Sequence, residues 1–366
     1  MVVLHFGSAK ARHALDRITH ASKIGVRLKW ATFALAMRAK TFPHLTGLVL
    51  TILVVMASSC FGPETPAEKN QTPTESSSFK EVSGFLGDSA YQFVADQLSF
   101  GPRVPGTKAQ KECAAYLESK LLSYADTVLR QSGTVRAYDG TLLPAINIIA
   151  SFNWQAEHRI ALASHWDSRP FADQDTKNPE GAILGANDGA SGVAVLLEIA
   201  RNLKTLRPDI GIDILLFDAE DYGMSQVENS FCLGSQLWAA NPHRTNYRAD
   251  FGVLLDMVGA KDAQFYWEDH SYAWGSRTLD HTWRMASRLG YAKHFIAQRV
   301  PPIIDDHYYV YRGTGIPMID IIQYNPQTGF APYWHTHDDN LDAVVPETLE
   351  AVGNTLHHLL FNPPNL

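Results

Sequence analysis

Glu220 and Asp221 stand side by side at the end of an apolar run, and that placement is the first sign of chemistry in this chain. The run from Ile212 to Phe217 is interrupted only by Asp213 and ends in Asp218-Ala219-Glu220-Asp221-Tyr222-Gly223. So apolar a strand suits a sheet covered on both faces, and ligands of such sheets gather outside the strands' carboxyl ends. Neighbouring carboxylates can divide labour there, one holding a metal and the other moving protons; the alternative is a pair of ordinary loop acids. Other stretches repeat the pattern. A short apolar strand, Ile160 to Ser164, ends at His165-Trp166-Asp167-Ser168, where the Asp can orient the His or share a metal shell with it, although a hydrogen-bonded structural His is the commoner case. Gly185-Ala186-Asn187-Asp188-Gly189 leads into the apolar helical segment Val193 to Leu203, so Asp188 is either that helix's N-cap or a metal ligand for which small neighbours leave room. Phe251 to Met257 carries Asp256 near its end. Ile303-Ile304-Asp305-Asp306-His307 brings a second acid pair, and Trp334-His335-Thr336-His337-Asp338-Asp339-Asn340 a cluster rich in His.

No candidate ligand is a Cys and no CxxC occurs. Imidazole with carboxylates suits zinc with an open position, as in catalytic sites, and manganese and cobalt remain chemically allowed.

These side chains need a scaffold. Apolar spacing predicts helices over Ser89 to Leu98, Ala109 to Leu122, Ser276 to Leu289 and Pro346 to Leu360, with a turn at Arg103-Val104-Pro105-Gly106. Ala145 to Phe152 and Pro317 to Gln323 read as further strands. The alternation predicts an α/β fold, a mostly parallel central sheet with helices on both faces.

The 366 residues are 45% hydrophobic, enough for a large core. Residues 1–44 hold eight Lys/Arg and one acid, and the rest carries 23 bases against 37 acids, so no basic face is available for nucleic acid and a small-molecule or peptide partner is expected. Leu45 to Met56 is a twelve-residue apolar run behind Arg38 and Lys40 and ahead of Ala57-Ser58-Ser59-Cys60. It is too short to span a bilayer comfortably and reads as an export signal. Small residues before Cys60 resemble those of a bacterial lipoprotein signal, with Ala57 where Leu is usual; a simple cleaved signal with an incidental Cys is the alternative. The expected organisation is an N-terminal extension and signal over residues 1–59, a Pro/Thr/Ser/Glu-rich tether over 60–78, and one folded domain over 79–366. The protein is thus expected to be exported, periplasmic or membrane-anchored, and to touch membrane only through that anchor. Cys113 and Cys232 within the domain could pair, although spacing does not decide it.

From Phe79 onward the chain resembles the glutaminyl cyclases, glutaminyl-peptide cyclotransferases that belong structurally with the zinc aminopeptidases. The matching segments are Arg103-Val104-Pro105-Gly106, His165-Trp166-Asp167-Ser168, Gly185-Ala186-Asn187-Asp188, Phe217-Asp218-Ala219-Glu220-Asp221, Leu255-Asp256-Met257-Val258-Gly259, Asp305-Asp306-His307 and Trp334-His335-Thr336, in order. The resemblance implies one zinc per chain on Asp188, Asp221 and His335, Glu220 as proton shuttle, Asp256 and Asp306 supporting it by hydrogen bonding, and Trp334 and Phe330 lining the pocket. It implies cyclisation of N-terminal Gln of peptides or proteins to pyroglutamate with loss of ammonia. Two departures stand out: animal members have two consecutive Glu where this chain has Glu220-Asp221, and their second Trp shortly after that pair is missing.

The rival is a two-zinc aminopeptidase, for which His165 and Asp256 would hold a second metal bridged by Asp188. The Asp305-Asp306 pair and the Trp before His335 favour the cyclase. If Asp306 shares a proton with Asp256 and Glu220, the second site is expected to stay without metal, because packed carboxylates cannot all ionise. A non-catalytic binding protein is disfavoured, since Glu220 and all three ligand positions hold competent residues.

Overall fold

The sheet is built from strands whose buried positions alternate between two apolar layers. A computed structural model describes residues 79–364; the basic extension, the Leu45 to Met56 segment, Cys60 and the tether to Ser78 lie outside the described residues. Helices α1 (Gly87–Leu98) and α2 (Lys108–Leu122) precede β1 (Thr127–Arg136), β2 (Leu142–Phe152) and β3 (Arg159–His165). Then come α3 (Ala190–Leu203), β4 (Gly211–Phe217), α4 (Leu233–Ala240), β5 (Phe251–Asp256), β6 (Phe265–Glu268), α5 (Asp269–Arg288) and β7 (Phe295–Val300). The chain continues with α6 (Asp306–Thr314), β8 (Met318–Ile322), a 3-10 turn (Leu341–Ala343) and α7 (Pro346–Phe361).

Six strands pair in the order β1-β2-β4-β3-β5-β8, and β6 and β7 pair separately. β4, β3, β5 and β8 are mutually parallel, and β2 runs against both its neighbours. Every residue of β3, β4, β5 and β8 is buried, the signature of a sheet covered on both faces. Ile160, Leu162, Ile212, Ile214, Leu216, Val253, Leu255, Ile319 and Ile321 join the layer containing α1, α3 and α7. The alternate residues Ala161, Ala163, Leu215, Phe217, Leu254 and Met318 meet Trp238 of α4 and Val310 of α6 on the other face. The predicted architecture is therefore the observed one.

Topology decides where chemistry can sit. After β3 the chain adds β4 on one side, then returns to place β5 and β8 on the other. Ligands of open α/β sheets bind outside the strand carboxyl ends at such a reversal. His165 and Asp256 end β3 and β5, and the Asp218-to-Asp221 segment follows β4.

Some elements were not expected from periodicity. β1 is an edge strand carrying Arg130, Gln131, Ser132 and Thr134, so its ten-residue pairing with β2, not its own hydrophobicity, makes it a strand. α5 starts seven residues before the expected Ser276, because the Glu268 side chain caps it by accepting from the His270 and Ser271 amides, and Gly275 kinks it. Cys113 and Cys232 are both buried and free, so they do not pair.

Candidate metal centre and active site

Two groups of ligand-type side chains meet above the sheet and share one residue. Asp188, Asp221 and His335 form the first, and His165, Asp188 and Asp256 the second; within each, one ligand atom per residue lies within 4.8 Å of the others. The structure thus brings together the three expected zinc ligands. His335 Nε2 is 3.4 Å from Asp221 Oδ1 and 4.0 Å from Asp188 Oδ2. His165 Nε2 is 3.0 Å from Asp188 Oδ1 and 3.2 Å from Asp256 Oδ1.

The backbone is built to hold these groups. Gly189 (φ 95°) precedes α3, and a Cβ there would come within 2.7 Å of the Asp167 carbonyl oxygen and 2.9 Å of the His165 ring. Ala219, Met257 and His335 itself adopt the left-handed conformation, with φ of 54°, 49° and 58°. Each is next to a site residue or is one, and non-glycine residues accept such strain where surrounding structure over-determines them. Asp339 accepts from the Asn187 and Asp188 amides (2.7 and 3.1 Å), and Asp167 from those of Glu220 and Asp221 (3.1 and 3.3 Å).

Partners beyond the ligands were harder to foresee. Asp173 Oδ1 lies 2.9 Å from His335 Nδ1, which leaves Nε2 facing Asp221 and Asp188; carboxylates orient metal-binding His in this way. Arg169 donates to Asp173, Asp221 Oδ1 and the Asp221 carbonyl, tying both to one guanidinium. Nothing periodic marks Asp173, which sits in a loop, whereas Asp339 falls within the His-rich cluster. Arg103 of the expected turn is fully buried and donates to the carbonyls of Trp166, Leu184 and Gly185, so it clamps the loops carrying His165 and Asp188.

A cavity of about 360 Å³ opens onto this centre, lined by Asp188, Glu220, Asp221, Asp256, Asp305 and His335. Phe330 and Trp334 line it too, and Trp334 stacks on His335 with 3.5 Å between ring centroids. Phe231 and Ser225 form the wall near the acidic pair, where no Trp is present. Asp305 is the member of its pair that faces the cavity. Asp306 is wholly buried one residue deeper, and neither of its carboxylate oxygens has a hydrogen-bond partner, so no bond joins it to Asp256 or Glu220. Asp256 bonds to His165 instead.

The electrostatics describe a site short of positive charge. Burial pushes Glu220 well above the carboxylate range, and Asp221, Asp305 and Asp306 add to the rise against His165. Burial also pushes Asp256 up to about 6, helped by Asp188, and Asp305 up to about 7, helped by Asp256. Asp221 is buried too, yet His335 and Arg169 hold it below its usual value. His335 is pushed up to about 9, because Asp221 and Asp173 outweigh the burial that disfavours its cation. The packed acids raise one another's proton affinity, a crowding that a divalent cation would relieve, and Asp221 Oδ2 is buried without a partner. One imidazole and two carboxylates with an open side suit zinc.

The model of peptidase family M28 matches residues 147–360. A crystal structure of Bacteroides thetaiotaomicron glutaminyl cyclase bound to N-acetylhistamine is 47% identical, covers 77% of this chain and 99% of its own, and superposes with a TM-score of 0.76. A structure described as a leucine aminopeptidase precursor from the same organism is 46% identical, with coverages of 77% and 99% and a TM-score of 0.74. The bovine glutaminyl-peptide cyclotransferase is 27% identical over 57% of this chain and 64% of its own length, so the chain spans slightly under two thirds of that curated relative. Since the family model covers more than half of the sequence, and a near-complete solved domain superposes with a TM-score of 0.76, the chain belongs to peptidase family M28.

Proposed function

We propose that this protein is a zinc-dependent glutaminyl-peptide cyclotransferase acting on peptides or proteins with N-terminal Gln. The observation that carries the reading is the cavity, whose lining joins Glu220 and the Asp188, Asp221 and His335 group to the aromatic rings of Trp334 and Phe330. Asp188, Asp221 and His335 would hold the zinc, which would supply a Lewis acid toward the substrate's γ-carbonyl oxygen. Trp334 and Phe330 confine the Gln side chain so that its own α-amine meets the δ-carbon, which replaces a bimolecular encounter with ring closure. As the N–C bond forms, Glu220 takes the amine proton; as the C–N bond to the amide nitrogen breaks, Glu220 returns it and ammonia leaves. A carboxylate raised by burial suits a group that must hold a proton between the two events. Asp305, on the cavity wall, is better placed than Asp306 to support Glu220, and Asp256 supports Asp188 through His165.

The aminopeptidase reading has its own observation, since the His165, Asp188 and Asp256 group also assembles. Metal content together with a paired assay separates the two. One zinc per chain, ammonia from Gln-terminated peptides and intact Leu-terminated peptides support the cyclase; two tightly held zincs with release of free amino acids install the peptidase.

We further propose that Leu45 to Met56 exports the chain to the periplasm and that Cys60 is the lipidated first residue of the mature protein, followed by a solvated tether and the domain from Phe79. Mass spectrometry of the mature N-terminus checks this: an unmodified Cys60 within a longer chain refutes it.

A further inference from the structure

We infer that Glu220, Cys232 and Asp305 form a separate, inhibitory site for a soft divalent cation such as cadmium. The three offer ligand atoms within 4.8 Å of one another, and none belongs to the Asp188, Asp221 and His335 group. Cys232 Sγ lies 3.2 Å from Glu220 Oε1. The two segments are stitched together by the Cys232 amide donating to the Glu220 carbonyl (2.8 Å) and the Leu233 amide to that of Ala219 (3.0 Å), so the thiol and carboxylate face one another without rearrangement. Cys232 holds a left-handed φ of 59° to do so. Asp305 is the independent sign of a missing partner. It is 5% exposed and lines the cavity; its Oδ1 accepts from the Asp306 amide, but its Oδ2 is buried with no partner.

The donor set selects the ligand. One sulfur and two carboxylate oxygens favour a cation that accepts thiolate, which sets cadmium and excess zinc apart from magnesium or calcium. Binding forms a sulfur–metal bond and releases the Cys232 thiol proton to solvent, with no change of oxidation state. Inhibition follows because the Glu220 carboxylate becomes a ligand and can no longer carry a proton. That consequence rests on the proposed role of Glu220, whereas the site itself does not.

The test uses the full chain in a Cys60→Ser, Cys113→Ser background, loaded with one zinc and titrated with cadmium. The expected result is a thiolate-to-cadmium charge-transfer band in the ultraviolet that saturates at one cadmium per chain, with zinc retained and cyclisation lost in parallel. Cys232→Ser, whose hydroxyl can still donate to Glu220, should show no band and keep turning over at cadmium concentrations that silence its parent. Asp305→Asn should need at least about tenfold more cadmium. Absence of the band, or its survival in Cys232→Ser, overturns the site. Loss of zinc in step with activity overturns inhibition through it. A saturating band with undiminished cyclisation leaves the site in place and overturns Glu220 as the proton carrier.

Discussion

Two of the metal-type groups share Asp188 and each contain one His and one further Asp, yet their surroundings differ. His335 is oriented from behind by Asp173 at 2.9 Å, and its partner Asp221 is tied to Arg169. His165 is held more loosely: the carboxylate behind it, Asp167, stands 3.5 Å from its Nδ1, and its other nitrogen already spans Asp188 and Asp256. A ligand inventory cannot tell these groups apart. What separates them is the outer contact that fixes a ring's orientation, which commonly changes metal affinity by about 10–100-fold.

The largest expected effect comes from the shared residue. Asp188→Ala removes a ligand from both groups, so zinc content measured by elemental analysis should fall well below one per chain and cyclisation should vanish; a variant that keeps its zinc would break the comparison at its centre. Glu220→Gln should keep zinc and lose about 10²–10⁴-fold in turnover, since only the proton carrier is gone. Near-normal turnover would mean that another acid, with Asp305 first in line, does that work.

Asp173→Asn and His165→Asn address the difference itself. The first should weaken zinc binding by about 10–100-fold in a chelator competition, because the His335 ring loses its orienting carboxylate. The second should leave stoichiometry at one zinc. Equal losses in both variants would show that the two groups are energetically alike.

The smallest effect is on stability against pH. Without metal, Asp256, Asp305 and His335 titrate at about 6, 7 and 9 in the folded protein, each above its ordinary value. The folded state therefore binds more protons than the unfolded one, so stability falls as pH rises, from about 4 to 7 for the two acids and from about 6.5 to 9 for His335. Zinc supplies the charge those protons provide, so the zinc-induced rise in melting temperature should grow by a few degrees between pH 6 and 9. A zinc effect that shrinks over that range would contradict the charge deficit.

Much of this was legible in the residues. The parallel sheet was readable because buried strands such as Ile212 to Phe217 must be apolar throughout, and strand-end acids stand out against such runs. Asp188, Asp221 and His335, more than a hundred residues apart at the extremes, do meet. Three features escaped because their signal is not in the local pattern. β1 exists through its partner β2, Asp173 is an exposed-loop acid until His335 folds against it, and either member of Asp305-Asp306 could have faced the cavity.

The sequence by itself determined the buried strands β2, β3, β4, β5 and β8, the longer helices, and the chemical types at their ends, since periodicity and burial act residue by residue along the chain. Only the tertiary structure decided which of two adjacent acids points inward, which His receives the closer orienting carboxylate, and that Cys232 lies against Glu220. Those facts depend on distances between segments far apart in sequence, set by strand order and the N-cap at Asp305, and no local pattern encodes them.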